Sequence, residues 1–355
     1  MSGAVRRANV IGAGLIGGSI GLALRAQGWH VSGSDVDDSR AARAVELAAF
    51  DAVGLDPAAE ITFVAVPVRA VADAAKHALA ETTGLVTDVG SVKASVVAAV
   101  ADDRFIGGHP MAGSEQEGVD GADASIFTGA VWVLTPTAST GDDAFTSVRA
   151  TVTSLGADVV ALAPERHDAL VAVVSHVPHL TAATLMQLAD ERAEEHRALL
   201  RLAAGGFRDM TRIAAGHPGI WPDICAENAP AILETLDRLI SGLQSMRAIV
   251  ADEDRAGLLA ALEQARDARV NLPGRGELPA ALSEVRVPVP DRPGVIAEVS
   301  TLAAELDVNL YDVEVAHSAE GDRGVLILIV ATALVERLHG GLLARGYRPA
   351  ARPLA

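Results

Sequence analysis

The chain has 355 residues and a formal net charge of -17, with 46 acidic and 29 basic side chains. Half of the residues are apolar and 21% are charged, which excludes wholesale disorder, and the length predicts about two to three domains. The acidic balance excludes a nucleic-acid backbone as partner, while the single cysteine, Cys225, excludes a disulfide framework and favours a reduced, cytoplasmic setting.

Residues 1–162 alternate short apolar runs with helical patterns. Strands are predicted at Ala8–Ile11, His30–Ser34, Ile61–Val66, Leu85–Val89, Phe105–Gly107, Ala130–Leu134 and Asp158–Val160. Helices are predicted at Leu15–Gln27, Ser39–Ala49, Val68–Ala80, Ser91–Ala101 and Asp142–Leu155. This alternation predicts βαβ units and therefore an α/β fold with a doubly wound, mainly parallel sheet.

A glycine-rich turn follows the first predicted strand, with Gly12, Gly14 and Gly17 in the spacing G-x-G-x-x-G. These glycines suit a tight turn, close approach to a pyrophosphate, and close packing of helix on strand. Asp35 ends the next strand, about 20 positions later, where a carboxylate accepts hydrogen bonds from the adenosine ribose. We therefore predict a dinucleotide site that favours NAD over NADP, a preference moderated by the nearby Arg40.

Further cofactor contacts are predicted at the same edge of the sheet. They are Leu15, Ile16, Val66, Pro67 and Gly90. Arg6-Arg7 and the apolar stretch after it resemble a twin-arginine export signal. The stretch is rich in glycine and is better explained by the dinucleotide turn, so we predict neither export nor a membrane span.

The segment Asp88–Lys93 follows another predicted strand at the ligand edge of the sheet. Ser91 is a candidate cap for the next helix. Its hydroxyl is also a candidate contact for the nicotinamide or the substrate, and one residue can play both roles. Lys93 is one of two lysines in the chain, which is mildly suggestive of function.

His109 follows the next strand at the same edge, within Gly107–Glu115. An imidazole with a pKa near neutrality is the usual base for an alcohol proton lost during hydride transfer. A lone histidine is more often structural, but a glycine-rich loop facing a dinucleotide favours catalysis.

Residues 163–270 change to long helical patterns, at Glu165–Val174, Pro178–Ala203 and Glu227–Arg269, and predict an all-helical domain. Ser175 and His176 lie between the first two, and His179 lies at the start of the second. A metal would need a third ligand, for which His167 is the only candidate in reach, so we predict a polar wall of a substrate site and no metal.

Arg208 and Arg212 are four positions apart, within Gly205–Ala214, and share a face if that segment is helical. An arginine fork suits a carboxylate, although a surface salt bridge with Asp209 or Asp223 is an equal alternative.

Residues 271–280 hold two prolines and two glycines and predict a linker. In residues 281–355, strands are predicted at Glu284–Val289, Val308–Ala316, Gly324–Val330 and Arg348–Arg352, and helices at Gly294–Leu306 and Ala331–Ala344. This β-α-β-β-α-β order is that of a ferredoxin-like α+β domain.

Five motifs taken in order resemble the prephenate/arogenate dehydrogenase family of tyrosine biosynthesis. They are Gly12–Ser19, Asp88–Lys93, His109–Glu115, His176–His179, and Gly205–Arg212 with Trp221. The resemblance covers residues 5–270. The remaining segment, with Asp291–Val295 between its first strand and helix, resembles an ACT domain.

The resemblance implies NAD-dependent oxidative decarboxylation of prephenate to 4-hydroxyphenylpyruvate, in a homodimer formed by the helical domain. It implies that His109 takes the ring hydroxyl proton, that Ser91 orients His109 and that hydroxyl, and that Arg212 pairs with a substrate carboxylate. The implied pocket is lined by Glu115, Ser175, His176, His179 and Trp221, with His167 nearby. A tyrosine effector is implied at Asp291, Gly294 and Val295.

Three alternatives stay open at the level of sequence. Arogenate is the close alternative substrate, and its ammonium would favour an extra carboxylate in the pocket. Dehydrogenases of the 3-hydroxyacid or 6-phosphogluconate type usually place a catalytic lysine in the helical domain, but residues 163–270 contain none. A non-catalytic sensor of NAD and an amino acid would have no use for a base beside the nicotinamide.

Overall fold

The computed structural model describes residues 5–114, 116–193, 205–270, 282–290, 292–317 and 323–353. The chain divides into two compact units, residues 1–261 and 262–355, and each is described by itself.

The first unit is built on one eight-stranded sheet. Its strands are β1 (Arg7–Ile11), β2 (His30–Ser34), β3 (Ala52–Val53), β4 (Ile61–Val64), β5 (Leu85–Asp88), β6 (Phe105–Pro110), β7 (Val131–Thr135) and β8 (Asp158–Ala161). Their order is β3-β2-β1-β4-β5-β6-β7-β8. Every neighbouring pair is parallel except β6 and β7, which are antiparallel. The predicted doubly wound, mainly parallel sheet is confirmed.

Five helices follow these strands. They are α1 (Leu15–Ala26), α2 (Asp38–Glu46), α3 (Val68–Glu81), α4 (Ala94–Ala99) and α5 (Asp142–Ser154). The core of the sheet is apolar, and Val10, Leu24, Phe63 and Trp132 are fully buried. Because the parallel strands share a direction, the segments that follow β1, β4 and β5 meet at one edge, where ligands bind in such sheets.

The helical part begins with α6 (Pro164–Val171), which continues through a π-helical turn at Ala172–His176 into α7 (Val177–Ala193). The sequence patterns Glu165–Val174 and Pro178–Ala203 predict two separate helices here. The structure instead widens one turn just before the proline, a local change often found at functional sites.

The remaining helices of this part are α8 (Gly205–Thr211), α9 (Trp221–Glu227), α10 (Ala229–Ala251) and α11 (Arg255–Val270). The prediction of one helix over Glu227–Arg269 is wrong. The helix is interrupted at Asn228 and again at Glu253, which adopts a left-handed conformation with φ of 52°. Asp254 then accepts a hydrogen bond from the Gly257 amide and starts the next helix.

One helix in the described part of the chain, Pro164–Glu191, is long and apolar enough to cross a membrane by length and composition alone. The same helix buries the polar side chains His167, Asp168 and His176. A core helix of a soluble protein passes the same test, so its length and composition are weak evidence for a span.

The second unit holds a four-stranded antiparallel sheet with a helix after its first and third strands. The elements are β9 (Leu282–Pro290), α12 (Val295–Glu305), β10 (Asp312–His317), β11 (Arg323–Ala331), α13 (Val335–Ala344) and β12 (Ala350–Pro353). The order β10-β11-β9-β12 is the ferredoxin-like arrangement that the sequence predicts. Val285, Val287, Leu328, Leu338 and Leu342 form its buried core.

Candidate active site

The glycine turn between β1 and α1 has the shape that a dinucleotide pyrophosphate needs. A Cβ on Gly12 would lie 2.2 Å from the Ala65 carbonyl oxygen, and one on Gly17 would lie 1.9 Å from the Gly12 carbonyl oxygen. A Cβ on Gly14 would meet nothing within 4 Å, so this residue faces open space. Helix α1 begins at Leu15 with no side-chain cap and no acidic residue in its first turn, which leaves its N–H groups available to phosphate.

Asp35 at the end of β2 is tied to this turn. Its Oδ2 accepts a hydrogen bond of 2.8 Å from the Ala13 amide, and its Oδ1 accepts one of 3.0 Å from the Asp37 amide. Arg40 Nε lies 3.6 Å from Asp37 Oδ2 in an exposed ion pair. The Asp35 carboxylate therefore lies beside the glycine turn, and its contact with the adenosine ribose stays a prediction.

The segments after β4 and β5 complete this edge. Val66 is half-buried and Pro67 is exposed at the start of α3, while Gly90 is buried after β5. Leu15 and Ile16 open α1 beside them. The contacts of these residues with the cofactor stay a prediction.

A buried ion pair organises the loop after β5. Lys93 and Asp88 are both fully buried, and the Lys93 ammonium contacts Asp88 Oδ2. The same carboxylate accepts hydrogen bonds from the Gly90 amide (2.9 Å) and the Gly108 amide (3.0 Å). Asp88 therefore holds the residues that immediately precede Ser91 and His109.

Ser91 is half-buried in this loop and does not cap α4. The helix begins at Ala94, later than predicted, and its first amides donate to Asp168. Within the described residues the Ser91 hydroxyl makes no hydrogen bond, to His109 or to any other group. Its approach to a substrate hydroxyl stays a prediction.

His109 lies in β6, paired with Val133 of β7, and is 9% exposed. Burial lowers its pKa well below 6.5, and the neighbouring His167, Lys93 and His176 lower it further. The imidazole is therefore neutral at physiological pH and can accept a proton.

His109 contacts His167 of α6, which in turn contacts Asp168 of the same helix. His109 Nδ1 lies 2.8 Å from His167 Nε2, and His167 Nδ1 lies 2.7 Å from Asp168 Oδ1. The family resemblance implied that His167 lies near the pocket, and the structure shows it fully buried and in contact with His109. Asp168 was not foreseen, although a His-Asp pair at the start of an apolar helix was a signal that could have suggested it.

His176, at the end of the π-helical turn, is 1% exposed. Its Nδ1 accepts a hydrogen bond of 3.2 Å from Asn228 Nδ2, which also donates to the Asp168 carbonyl oxygen at 2.9 Å. Burial lowers the pKa of His176 to about 4. A neutral ring with an acceptor at Nδ1 carries its hydrogen on Nε2, so the contact with Asn228 makes Nε2 of His176 a hydrogen-bond donor. The sequence analysis did not identify Asn228.

Trp221 joins the two histidines of this segment. Its ring stacks on His179 with a centroid distance of 3.6 Å and meets His176 edge-on at 6.1 Å. Ser175 lies within the π-helical turn Ala172–His176 and is half-buried. The structure therefore brings His176, His179 and Trp221 together, as a pocket wall requires.

Arg208 and Arg212 are both exposed, the first in α8 and the second at the start of the 3-10 turn Arg212–Ala215. Asp223, one of the alternative salt-bridge partners, lies 3.2 Å from Arg69 of α3. The carboxylate-binding role of Arg212 stays a prediction.

Glu115 and Asp291 lie outside the described residues. Gly294 and Val295 border a cavity of about 780 Å³ in the second unit. Its lining also includes Val289, Arg292, Ile296 and Leu326. Among the residues that the structure describes, no three His, Cys, Asp or Glu side chains gather as a metal site would need.

The chain is similar to known proteins. The family model described as "Prephenate dehydrogenase, nucleotide-binding domain" matches residues 20–161, and the one described as "Prephenate dehydrogenase, dimerization domain" matches residues 163–264. The prephenate dehydrogenase of Bacillus subtilis (strain 168) is 35% identical over 334 residues, which is 89% of each chain. The C-terminal ferredoxin-like unit lies beyond both family models.

Two solved structures are similar to the chain. One is prephenate dehydrogenase from A. aeolicus in complex with hydroxyphenyl propionate and NAD+, with a TM-score of 0.71, 28% identity, and coverage of 77% of this chain and 100% of that chain. The other is Synechocystis arogenate dehydrogenase, with a TM-score of 0.66, 30% identity, and coverage of 75% and 100%.

Proposed function

The chain belongs to the prephenate dehydrogenase family, and we propose that His109 is the base with which it performs NAD-dependent oxidative decarboxylation of prephenate to 4-hydroxyphenylpyruvate. The observation that carries the role of His109 is a buried, neutral imidazole at the edge of the sheet where the dinucleotide turn lies. Family membership makes the chain an NAD-dependent oxidoreductase.

The reaction needs positioning and one proton acceptor. NAD receives the hydride from the ring carbon that bears the hydroxyl. His109 takes the hydroxyl proton, carbon dioxide leaves from the opposite ring carbon, and the electron pair that it leaves behind completes the aromatic ring. The phenolate oxygen then regains a proton from His109, so the base is restored without an external acid.

The pocket supplies the polar contacts for the rest of the substrate. His176 presents a donor at Nε2, and Trp221 with His179 forms an aromatic surface against a planar or nearly planar ring. Arg212 is proposed to bind a substrate carboxylate, and Ser91 the ring hydroxyl. Glu115 and Ser175 are proposed as further lining residues.

An absorbance assay at the NADH band tests the function. Purified protein with NAD and prephenate is expected to form NADH. The Synechocystis arogenate dehydrogenase structure favours arogenate as the second candidate, so the assay is repeated with arogenate and with NADP. Turnover of arogenate alone would replace the substrate and keep the mechanism, while turnover of neither would refute the function.

Arg212→Ala is expected to raise the KM for prephenate strongly. Loss of a charge-assisted carboxylate contact reduces transition-state stabilisation by about 2–5 kcal/mol, which is measured as a lower kcat/KM. Arg208→Ala is the matched control, because it removes a neighbouring exposed arginine of the same segment. Equal effects of the two substitutions, or a near-normal KM for Arg212→Ala, would contradict the carboxylate role.

A homodimer is proposed for the helical part, whose family model is described as a dimerization domain. Large apolar side chains are exposed on its helices, which suits burial against a second copy. They are Val173, Val174, Leu188, Leu233, Ile240, Leu243 and Val250. We also propose that the enzyme is cytoplasmic, as suits its cofactor and its single cysteine.

Tyrosine is proposed to bind the ACT-like unit and to lower activity. The cavity bordered by Gly294 and Val295 is large enough to hold a small molecule such as an amino acid. Deleting residues 280–355 is expected to abolish inhibition by tyrosine in the prephenate assay. Inhibition that persists, and that competes with prephenate, would place the effector at the active site instead.

A further inference from the structure

His109 is the outermost member of a chain of three polar side chains. Behind it lie His167, which is fully buried, and Asp168, which is 5% exposed. The two hydrogen bonds that connect them measure 2.8 Å and 2.7 Å. Both ring nitrogens of His167 are used, one toward His109 and one toward Asp168, so His167 reaches a substrate only through His109.

Asp168 fixes the direction of the hydrogen bonds in this chain. Its Oδ1 accepts from the Lys93 amide and its Oδ2 from the Ala94 amide, both at 2.8 Å, at the N-terminus of α4. Both carboxylate oxygens therefore already accept from N–H donors, and a carboxylate serves as an acceptor toward His167 as well. His167 Nδ1 must therefore carry a hydrogen and donate it to Asp168.

The direction of the next hydrogen bond determines which nitrogen of His109 faces the substrate. With one hydrogen on each ring, His167 Nε2 is an acceptor, and His109 Nδ1 must donate to it. The lone pair of His109 then lies on Nε2. This is the nitrogen that remains for the substrate hydroxyl.

We propose that His167 and Asp168 are positioning residues that hold His109 in the tautomer with an unprotonated Nε2. The inference deepens the proposed function and rests on it, because it assigns the device that makes His109 a base. In a Ser-His-Asp triad the carboxylate fixes the tautomer of the histidine that it contacts. Here Asp168 fixes the tautomer of His167, and His167 in turn fixes that of His109.

Two substitutions at His167 separate this role from simple packing. His167→Gln keeps a side-chain acceptor near the place of Nε2, toward His109, and loses the contact with Asp168. His167→Asn keeps a donor near the place of Nδ1, toward Asp168, and cannot reach His109. We expect His167→Gln to retain kcat within about tenfold, and His167→Asn to lose about 10²-fold or more, with KM for prephenate nearly unchanged in both.

Equal losses of kcat in the two variants, or a normal kcat in His167→Asn, would overturn the proposal. Because position 167 is buried, NAD binding and thermal unfolding are measured first on each variant, and only variants that match the wild type in both are compared.

Nitrogen-15 NMR of the histidine rings tests the same claim on the unaltered protein. The His109 signals are assigned from their absence in His109→Asn. We expect hydrogen on Nδ1 and none on Nε2 at neutral pH. The opposite tautomer would overturn the proposal even if the enzyme oxidises prephenate, while failure to oxidise prephenate would refute the function and leave the tautomer result standing.

Discussion

His109→Asn is expected to lower kcat by about 10²–10⁴-fold while prephenate still binds with a similar KM. The amide has no basic nitrogen to accept the ring hydroxyl proton, so the step that accompanies hydride loss has no acceptor at this site. The surrounding contacts with substrate are unchanged. Steady-state kinetics at saturating NAD measure both constants.

The pH profile of kcat/KM gives this prediction a second readout. The base acts only when it is neutral, and burial lowers the pKa of His109 well below 6.5. The wild-type profile is therefore expected to be level through neutral pH and to fall only in the acidic range. An unchanged acidic limb in His109→Asn would show that another group is the base.

Lys93→Met is expected to lower the free energy of unfolding by about 3–5 kcal/mol. Methionine keeps most of the apolar stem but leaves the Asp88 carboxylate fully buried without its cation. Two backbone amides still donate to Asp88, and they do not neutralise its charge. Chemical denaturation of the wild type and the variant measures the difference.

A double variant provides the control. Combining Lys93→Met with Asp88→Asn removes both charges, so its loss of stability is expected to be smaller than the sum of the two single losses. Simple additivity would contradict a coupled pair. Lys93 also lowers the pKa of His109, so the acidic limb of the Lys93→Met activity profile is expected to move to higher pH.

The fold class could be predicted because its signals are local. Alternating apolar strands and helical patterns indicate βαβ units, and the spacing of Gly12, Gly14 and Gly17 indicates the turn that α1 follows. The ferredoxin-like order of the C-terminal unit follows from the same kind of pattern. These features depend on residues that are close together in sequence.

The chain of polar groups behind His109 could not be predicted because it depends on packing between distant segments. Asp168 accepts a hydrogen bond from the Lys93 amide, 75 positions away in sequence, and this contact sets where α4 begins. The prediction of Ser91 as the start of that helix failed for this reason. Asn228 orients His176 from 52 positions away, and no local pattern shows it.

The helical part shows the same limit within a single element. The patterns Glu165–Val174 and Pro178–Ala203 predict two separate helices, but the helical path is continuous through the π-helical turn at Ala172–His176. Conversely, the apolar pattern of Glu227–Arg269 hides the left-handed Glu253 that separates α10 from α11. Periodicity reports which face is apolar and does not report where the backbone turns.

The central claim is that this enzyme couples hydride transfer to decarboxylation of prephenate. The most direct test is the stoichiometry of a single incubation with NAD and prephenate, in which NADH, carbon dioxide and 4-hydroxyphenylpyruvate are all quantified. We expect equal amounts of the three products, and we expect His109→Asn to lose all three together. NADH formed without carbon dioxide, or no NADH with either prephenate or arogenate, would contradict it.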